Sequence, residues 1–282
     1  MTPASRLLPL IPATALVLFV IGLPQLLMLR FSLNEYDPAL LMREVLTLGN
    51  YLSALSDPFY QEVMLRTLWV AGISTLVCAI LGLPAAYVLS RARSARLKTM
   101  LLLCVVVPLL IGNAARSVGW IVVLNDRGLI NSLLMTLGIT DAPIRMMNTT
   151  FGVVVSLVSI LLPYMIIAIQ TVLDGVDRSV EEAAQSLGAG FGTTLQRVLM
   201  PMAMPGIYAG VVLTFVLGVG AYAAPVFIGG PSFQMMAPKI YEQILVANNW
   251  PMGAALSFIL LGFTIIVTTV LTALLQRRYG RL

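Results

Sequence analysis

Long apolar runs, almost free of charged residues, dominate this sequence. A helix needs roughly 20 apolar residues in a row to cross the hydrocarbon core of a bilayer. Six stretches reach that length, and because their apolar residues are continuous rather than alternating, they predict helices and not membrane strands. The sequence therefore predicts an all-α membrane protein with six transmembrane helices. The predicted spans are about 7–30, 63–90, 99–124, 151–173, 204–228 and 252–276.

Composition supports this class and argues against several others. Only 10% of the 282 residues are charged and the mean hydropathy is +0.95, whereas soluble proteins carry about 25% charged residues. The chain has no histidine, which excludes a histidine metal site or general base, and its two cysteines lie inside apolar runs. We therefore expect a membrane protein with no metal site and no nucleic-acid partner.

Basic residues predict which side of the membrane each loop faces. An even number of spans places both termini on one side, and Lys and Arg are normally enriched on the cytoplasmic side. With both termini cytoplasmic, the inner segments hold ten basic residues against four acids, whereas the outer ones hold seven against eight. The cluster RARSARLK at 91–98 is the strongest marker, either as a plain topology anchor or as a contact for lipid headgroups or an ATPase. The inner basic residues are Arg6, Arg91, Arg93, Arg96, Lys98, Arg178, Arg197, Arg277, Arg278 and Arg281.

The chain lacks the residues that would let it drive uphill transport by itself. It has no P-loop sequence G-x-x-x-x-G-K-[ST], since neither of its lysines, Lys98 and Lys239, follows a glycine. Carriers driven by ion gradients usually hold acids or histidines within their spans, and no Asp or Glu falls in the middle of a predicted span. A self-contained secondary carrier or channel is therefore the disfavoured alternative, and any energy for transport is expected from another subunit.

A polar segment, EEAAQSLGAGFGTTLQRVLMPMAMPG, separates two of the longest apolar runs. Ser179 and Glu182 fit the S-x-x-E capping box that starts a helix, and Gly188 suits the left-handed residue after a helix end. A second box, T-x-x-Q from Thr193, predicts another short helix before the next span. The segment therefore predicts a helix, a glycine turn and a helix, a shape that fits a groove on a partner protein.

The spacing within this segment carries a family resemblance. The letters E-A-A at 182–184, G after three more residues and V-x-M-P after a further nine resemble the EAA signature of ABC importer permeases, whose last element is I-x-L-P. Val198 and Met200 depart from that signature but keep apolar side chains. Further runs are similar to permeases of spermidine/putrescine-type importers: TLWVAGISTLVCAILGLPAAYVLSRAR, ARSVGWIVVLNDRGLINSLLMTLGI, GVGAYAAPVFIGGP and NNWPMGAAL.

This resemblance implies the MetI-like permease fold, as a single transmembrane domain over 1–282 in the bacterial inner membrane. The chain would be a transport subunit rather than an enzyme, forming the translocation path for a small organic solute. The implied partners are membrane lipid, a second permease that is a related but different chain, two ATPase subunits and an extracytoplasmic solute-binding protein. The ATPase would use ATP and Mg, and this chain would bind no cofactor.

The resemblance also implies a cytoplasmic EAA coupling loop at about 174–203, whose first helix sits in a cleft of the ATPase. Two of its residues have simpler alternatives, since Glu182 could act only as a helix cap and Gly188 only as a helix end. The residues expected to couple this chain to the ATPase are Glu181, Glu182, Ala183, Ala184, Gly188 and Pro201.

Four residues within the spans are candidates for the translocation path. Asn113 and Arg116 share one helical face, and an arginine inside a span normally faces a cavity or a partner, unless it extends to the membrane surface. Tyr164 follows a proline and Tyr222 lies in GVGAYAAP, where a broken helix indicates a cavity; ordinary helix packing is the alternative for both. Many polyamine-type permeases carry an acid where this chain has Ala221, and an acid would attract a cationic polyamine. Because that acid is missing here, the solute is expected to be either polyamine-like, as the resemblance implies, or amino-acid-derived.

Overall fold

The computed structural model describes residues 10–279 and the side chains of residues 14–273. Helices make up the regular structure of this part of the chain, apart from one antiparallel bridge between Glu35 and Arg43. The prediction of an all-α protein is therefore confirmed. The predicted inner residues Arg6, Arg277, Arg278 and Arg281 lie outside the described side chains. The helices are α1 (Leu10–Val17 and Leu23–Ser32, joined by a π-helical turn at Leu18–Gly22), α2 (Gly49–Ser56), α3 (Pro58–Ser90), α4 (Ala95–Leu110), α5 (Asn113–Leu124), α6 (Leu129–Thr136), α7 (Thr150–Asp174), α8 (Arg178–Ser186), α9 (Phe191–Val219), α10 (Met236–Tyr241, extended by a π-helical turn at Glu242–Val246) and α11 (Trp250–Tyr279).

Five of the described helices are long and apolar enough to cross a membrane. They lie in α1, α3, α7, α9 and α11, and four of them coincide with the first, second, fourth and sixth predicted spans. The fifth predicted span, 204–228, is displaced along the chain, because α9 starts at Phe191 and ends at Val219. Gly220 caps α9 at its C-terminal end, and Pro225, which has no backbone N–H, opens a separate π-helical turn.

The third predicted span, 99–124, is not one straight helix. Its first part, α4, ends at Leu110, and the helical segment Asn113–Thr136 is bent from it by 101°. Pro108 lies in the last turn of α4, and Gly112 has an extended backbone before α5 begins. The prediction of an unbroken span is therefore corrected: this stretch is a bent pair of helices, and α5 has its own N-terminus inside an apolar region.

The described residues fall into two compact units. One comprises residues up to Glu62 with Lys239–Gly262, and the other comprises Val63–Pro238 with residues from Phe263 on. In the first unit, the rings of Phe31 and Trp250 meet edge to face at 6.4 Å. In the second unit, α7 is the central helix. Of its 18-residue apolar stretch, 61% is buried, against 39% for the corresponding stretch of α9 and 33% for that of α3.

Helices α7 and α9 approach each other closely at two glycines. A Cβ atom added to Gly206 would lie 2.8 Å from the carbonyl oxygen of Ala168 and 3.0 Å from the Cα of Ile169. At Gly210 it would meet the sulfur of Met165 at 2.5 Å. Because the neighbours at Gly206 are backbone atoms of α7, the two helices can touch there only when residue 206 has no side chain.

Replacement of Gly206 tests this packing. We expect Gly206→Val to destabilise the protein by about 1–3 kcal/mol, as overpacking of a tight contact does. The measurement is the midpoint of heat-induced loss of the folded peak in size-exclusion chromatography of the detergent-solubilised protein. Gly262→Val is the matched control, because a Cβ at Gly262 has nothing within 4 Å. An equal midpoint for the two variants would contradict the proposed contact.

Candidate functional site

The loop predicted to couple this chain to an ATPase, residues 174–203 and called the coupling loop below, contains α8, and Asp177 is the N-cap of this helix. The Asp177 carboxylate accepts the backbone N–H of Ser179 at 2.8 Å. Chiefly for this reason, the pKa of the Asp177 carboxyl lies below its ordinary value. The predicted capping box of Ser179 and Glu182 is therefore wrong. An N-cap needs a non-helical backbone, and Asp177 has the extended conformation, whereas Ser179 already lies within α8.

The left-handed conformation predicted for Gly188 is confirmed. Helix α8 ends at Ser186, and Gly188 follows with φ +85°. Its N–H donates to the carbonyl of Gln185 at 2.9 Å, which closes the helix end. A residue with a side chain is strained in this conformation, so glycine is required by the turn itself.

The second half of the coupling loop differs from the prediction of a separate short helix. Helix α9 begins at Phe191, and its N-cap, Gly190, has no side chain to form the T-x-x-Q box predicted from Thr193. A π-helical turn at Leu195–Leu199 then joins this first turn to the membrane span. The loop therefore continues directly into α9, and Pro201 lies partly buried within that continuous helix.

The tip of the coupling loop exposes apolar side chains. Leu187 is 90% exposed and Phe191 is 58% exposed. Glu182 and Ala183 are also exposed, and Ala184 is half-buried. Exposed apolar side chains at the turn between α8 and α9 are the surface expected of a segment that enters a partner's groove.

Glu181 differs from its neighbour Glu182, because its carboxylate faces the interior of the chain. One oxygen accepts a hydrogen bond from Nε of Arg91, and the other accepts the Tyr87 hydroxyl at 3.1 Å. The side chains of Arg91 and Glu181 are 12% and 11% exposed. From the sequence, Arg91 is expected only to belong to the basic cluster at 91–98. The signal for its contact with Glu181 is the i, i+4 spacing of Tyr87 and Arg91, which places both residues on one helical face.

A cavity of about 300 Å³ lies among α5, α7 and the end of α9. Three of the four residues predicted for the translocation path line it, namely Asn113, Tyr164 and Tyr222. The non-helical stretch 220–222 forms another part of its wall, together with Ala223 and Ala224 at the start of the next helical turn. Irregular backbone at membrane depth is tolerated where it lines a cavity or is buried in protein, and this stretch meets that condition.

Arg116, the fourth predicted residue, is not among the residues that line the cavity. Its guanidinium donates to the side-chain oxygen of Asn113 at 3.1 Å and to the carbonyl of Ser159 at 3.3 Å. Its Nε atom is buried and has no acceptor among the described residues. The positive charge is thus held next to Asn113, one of the lining residues.

A larger cavity of about 610 Å³ is a weaker candidate for a solute path. It lies among α3, α9 and α11, and apart from one threonine and one tyrosine its described lining is apolar or glycine. Hydrogen-bonding groups at several points are needed to orient a polar solute. The smaller cavity, with an asparagine and two tyrosines, is therefore the candidate site.

Comparisons with known proteins agree with these features. The chain matches the family model described as "Binding-protein-dependent transport system inner membrane component" over residues 79–281. The spermidine/putrescine transport system permease protein PotB of Escherichia coli (strain K12) is 35% identical, over 93% of this chain and 96% of PotB. PotB of Haemophilus influenzae is 33% identical, over 90% of this chain and 87% of that protein.

A solved structure shows the same fold. A bacterial ABC transporter involved in the import of the acidic polysaccharide alginate superimposes with a TM-score of 0.75 at 14% identity. The superposition covers 95% of this chain and 93% of that chain. The predicted ABC importer permease fold is thereby confirmed.

Removal of the Asp177 cap tests the start of the coupling loop. We expect Asp177→Ala to speed hydrogen exchange at the amides of 178–182 several-fold, whereas Asp177→Asn keeps an acceptor and has less effect. The pKa of the Asp177 carboxyl is lower in the folded protein than in the unfolded chain. The stabilisation of the helix start by this cap is therefore fully present above the ordinary carboxyl pKa, and it is lost as the pH falls through the lower folded-state pKa. Asp126→Ala is the control, because Asp126 is an exposed acid between α5 and α6, outside the coupling loop. Unchanged exchange in Asp177→Ala would exclude the cap.

Proposed function

Because this chain belongs to the family of binding-protein-dependent transport system inner membrane components, we propose that it forms, with a second permease, the path by which an ABC importer carries a polyamine-like solute across the inner membrane. As a member of that family, the chain is a transport subunit rather than an enzyme. The observation that carries the polyamine assignment is its similarity to PotB along nearly the whole length of both chains. A self-contained carrier or channel is not favoured.

In this proposal the coupling loop faces the cytoplasm and docks in a cleft of an ATPase subunit. Leu187 and Phe191 provide the apolar contact, and Glu182 provides a charge that fixes the register. Gly188 keeps the tip narrow, because a Cβ there would project into open space that the partner would fill. ATP and Mg would be used by the ATPase alone, with two ATPase subunits, one for each of two related but different permeases.

Both termini are cytoplasmic in this arrangement, and an extracytoplasmic binding protein delivers the solute to the opposite face. A single transmembrane domain then holds both the cavity and the loop. The cavity would be half of the translocation path, with the second permease completing it. Closure of the ATPase dimer would pull the two coupling loops and open the path to alternate sides.

The chemistry of the cavity is compatible with an amine but does not provide an anionic partner. Tyr164 and Tyr222 offer hydroxyl acceptors and aromatic faces, and an ammonium group binds well to both. Ala221 lines the same wall, and none of the described lining residues is acidic. Since Arg116 also places a positive charge next to Asn113, an amino-acid-derived solute with a carboxylate is the second candidate.

Docking of the loop is tested at Leu187. We expect Leu187→Asp to reduce the amount of ATPase that copurifies with the permease in mild detergent by about tenfold, since a central apolar contact is replaced by a charge. Leu137→Asp is the matched control, because Leu137 is 70% exposed and lies outside the coupling loop. Equal recovery of ATPase with both variants would refute docking at this tip.

The solute and its path are tested by uptake in cells that lack their own polyamine importers and carry the complete transporter. We expect saturable uptake of radiolabelled spermidine or putrescine, reduced by about tenfold in Tyr222→Ala and less in Tyr222→Phe, which keeps the aromatic face. Phe263→Ala is the control, because Phe263 and Tyr222 are each 38% exposed but only Tyr222 lines the cavity. Uptake of amino-acid-derived solutes without uptake of polyamines would overturn the polyamine assignment.

A further inference from the structure

The connection between the central helix α7 and the coupling helix α8 is short. Helix α7 ends at Asp174 and α8 begins at Arg178, so only the segment Gly175–Asp177 lies between them. Glycine leaves the backbone free to change direction, so this segment could absorb a displacement of α8 instead of passing it to α7. A movement of the coupling loop reaches α7 only if something outside the segment makes it rigid.

Arg91 spans this connection with its guanidinium. On one side Nη1 donates to the carbonyl of Leu173, in the last turn of α7, at 3.3 Å. On the other side Nε donates to the carboxylate of Glu181, in α8. The same side chain therefore holds the residues before and after the connection, and Arg91 itself is anchored just beyond the end of α3.

Two further contacts tie α8 and α9 to the same end of α3. The Tyr87 hydroxyl donates to Glu181 at 3.1 Å, and its ring lies 5.7 Å from the ring of Phe191, the first residue of α9. Arg178, the first residue of α8, donates in return to the carbonyl of Arg91 at 3.1 Å. Both halves of the coupling loop thus contact the last turn of α3.

The burial of the pair distinguishes it from a nearby surface pair. Lys98 binds Asp174 at 3.0 Å, but these side chains are 39% and 31% exposed, so water and salt weaken their attraction. The Arg91 and Glu181 side chains are only 12% and 11% exposed. A buried charge that loses its partner is strongly unfavourable, so the pair stays closed while the loop moves.

We propose that Arg91 and Glu181 are positioning residues that brace the connection between α7 and α8, so that a displacement of the coupling loop is carried along α7 to the cavity. The proposal rests on the function proposed above and adds a route for the movement. It is a route through α7 because Tyr164 and Ile160, on the same helix as Leu173, line the cavity.

The test uses the complete transporter, with its ATPase and binding protein, reconstituted in liposomes. The readout is the amount of solute transported per ATP hydrolysed, together with the amount of ATPase in the purified complex. We expect Arg91→Gln and Glu181→Gln to lower the transport-to-hydrolysis ratio by about tenfold, within the range of ordinary coupling between sites. Lys98→Gln is the matched control. It also removes one positive charge, but Lys98 lies in the first turn of α4 and its ion pair is with Asp174, at the end of α7.

A charge exchange separates a brace from a general structural role. We expect Arg91→Glu combined with Glu181→Arg to recover at least half of the lost ratio, because the pair is restored with opposite polarity. An unchanged ratio in both single variants would overturn the proposal. So would loss of the ATPase from those complexes without recovery in the exchanged pair, because the residues would then only shape the docking surface. If wild-type complexes lack ATPase or solute-dependent hydrolysis, the proposed function fails instead.

Discussion

Every backbone N–H and C=O group inside a bilayer must find a hydrogen-bond partner within the protein, and this requirement determines where the helices of this chain can break. The helical ladder stops at 111–112, before α5, and again after Val219, at the end of α9. Asn113 follows the first break, residues 220–222 form the second, and all of these line the cavity. The candidate cavity therefore lies where two helices are interrupted, and the interruptions supply part of its wall.

The sequence predicted the membrane helices well, because the length of an apolar run is a physical requirement of the bilayer. It predicted the breaks less well, because a proline alone does not end a helix. Pro163 lies inside the unbroken α7, whereas Pro108 lies in the last turn of α4 before a bend of 101°. The difference depends on what surrounds each proline in the fold, and no local pattern contains that information.

The coupling loop shows the same limit at a finer scale. The EAA spacing located the loop and the glycine turn, since Gly188 is needed for its left-handed backbone. It did not separate the roles of Glu181 and Glu182. Neighbouring residues on a helix point about 100° apart, so one carboxylate faces Arg91 while the other faces outward. The partner of Glu181 is 90 residues away along the chain, and only the fold brings the two together.

Helix α7 connects the two functional regions because of where its residues lie. Tyr164 lines the cavity, and Leu173, whose carbonyl is bound by Arg91, follows nine residues later, about 13 Å along the axis. Between these two residues, at Ala168 and Ile169, the backbone of α7 lies in close contact with Gly206 of α9. Closely packed interiors transmit strain, so we expect a displacement of the end of α7 that carries Leu173 to alter the position of Tyr164 in the wall of the cavity. The same packing that buries α7 therefore makes it the helix best suited to transmit movement between the coupling loop and the cavity.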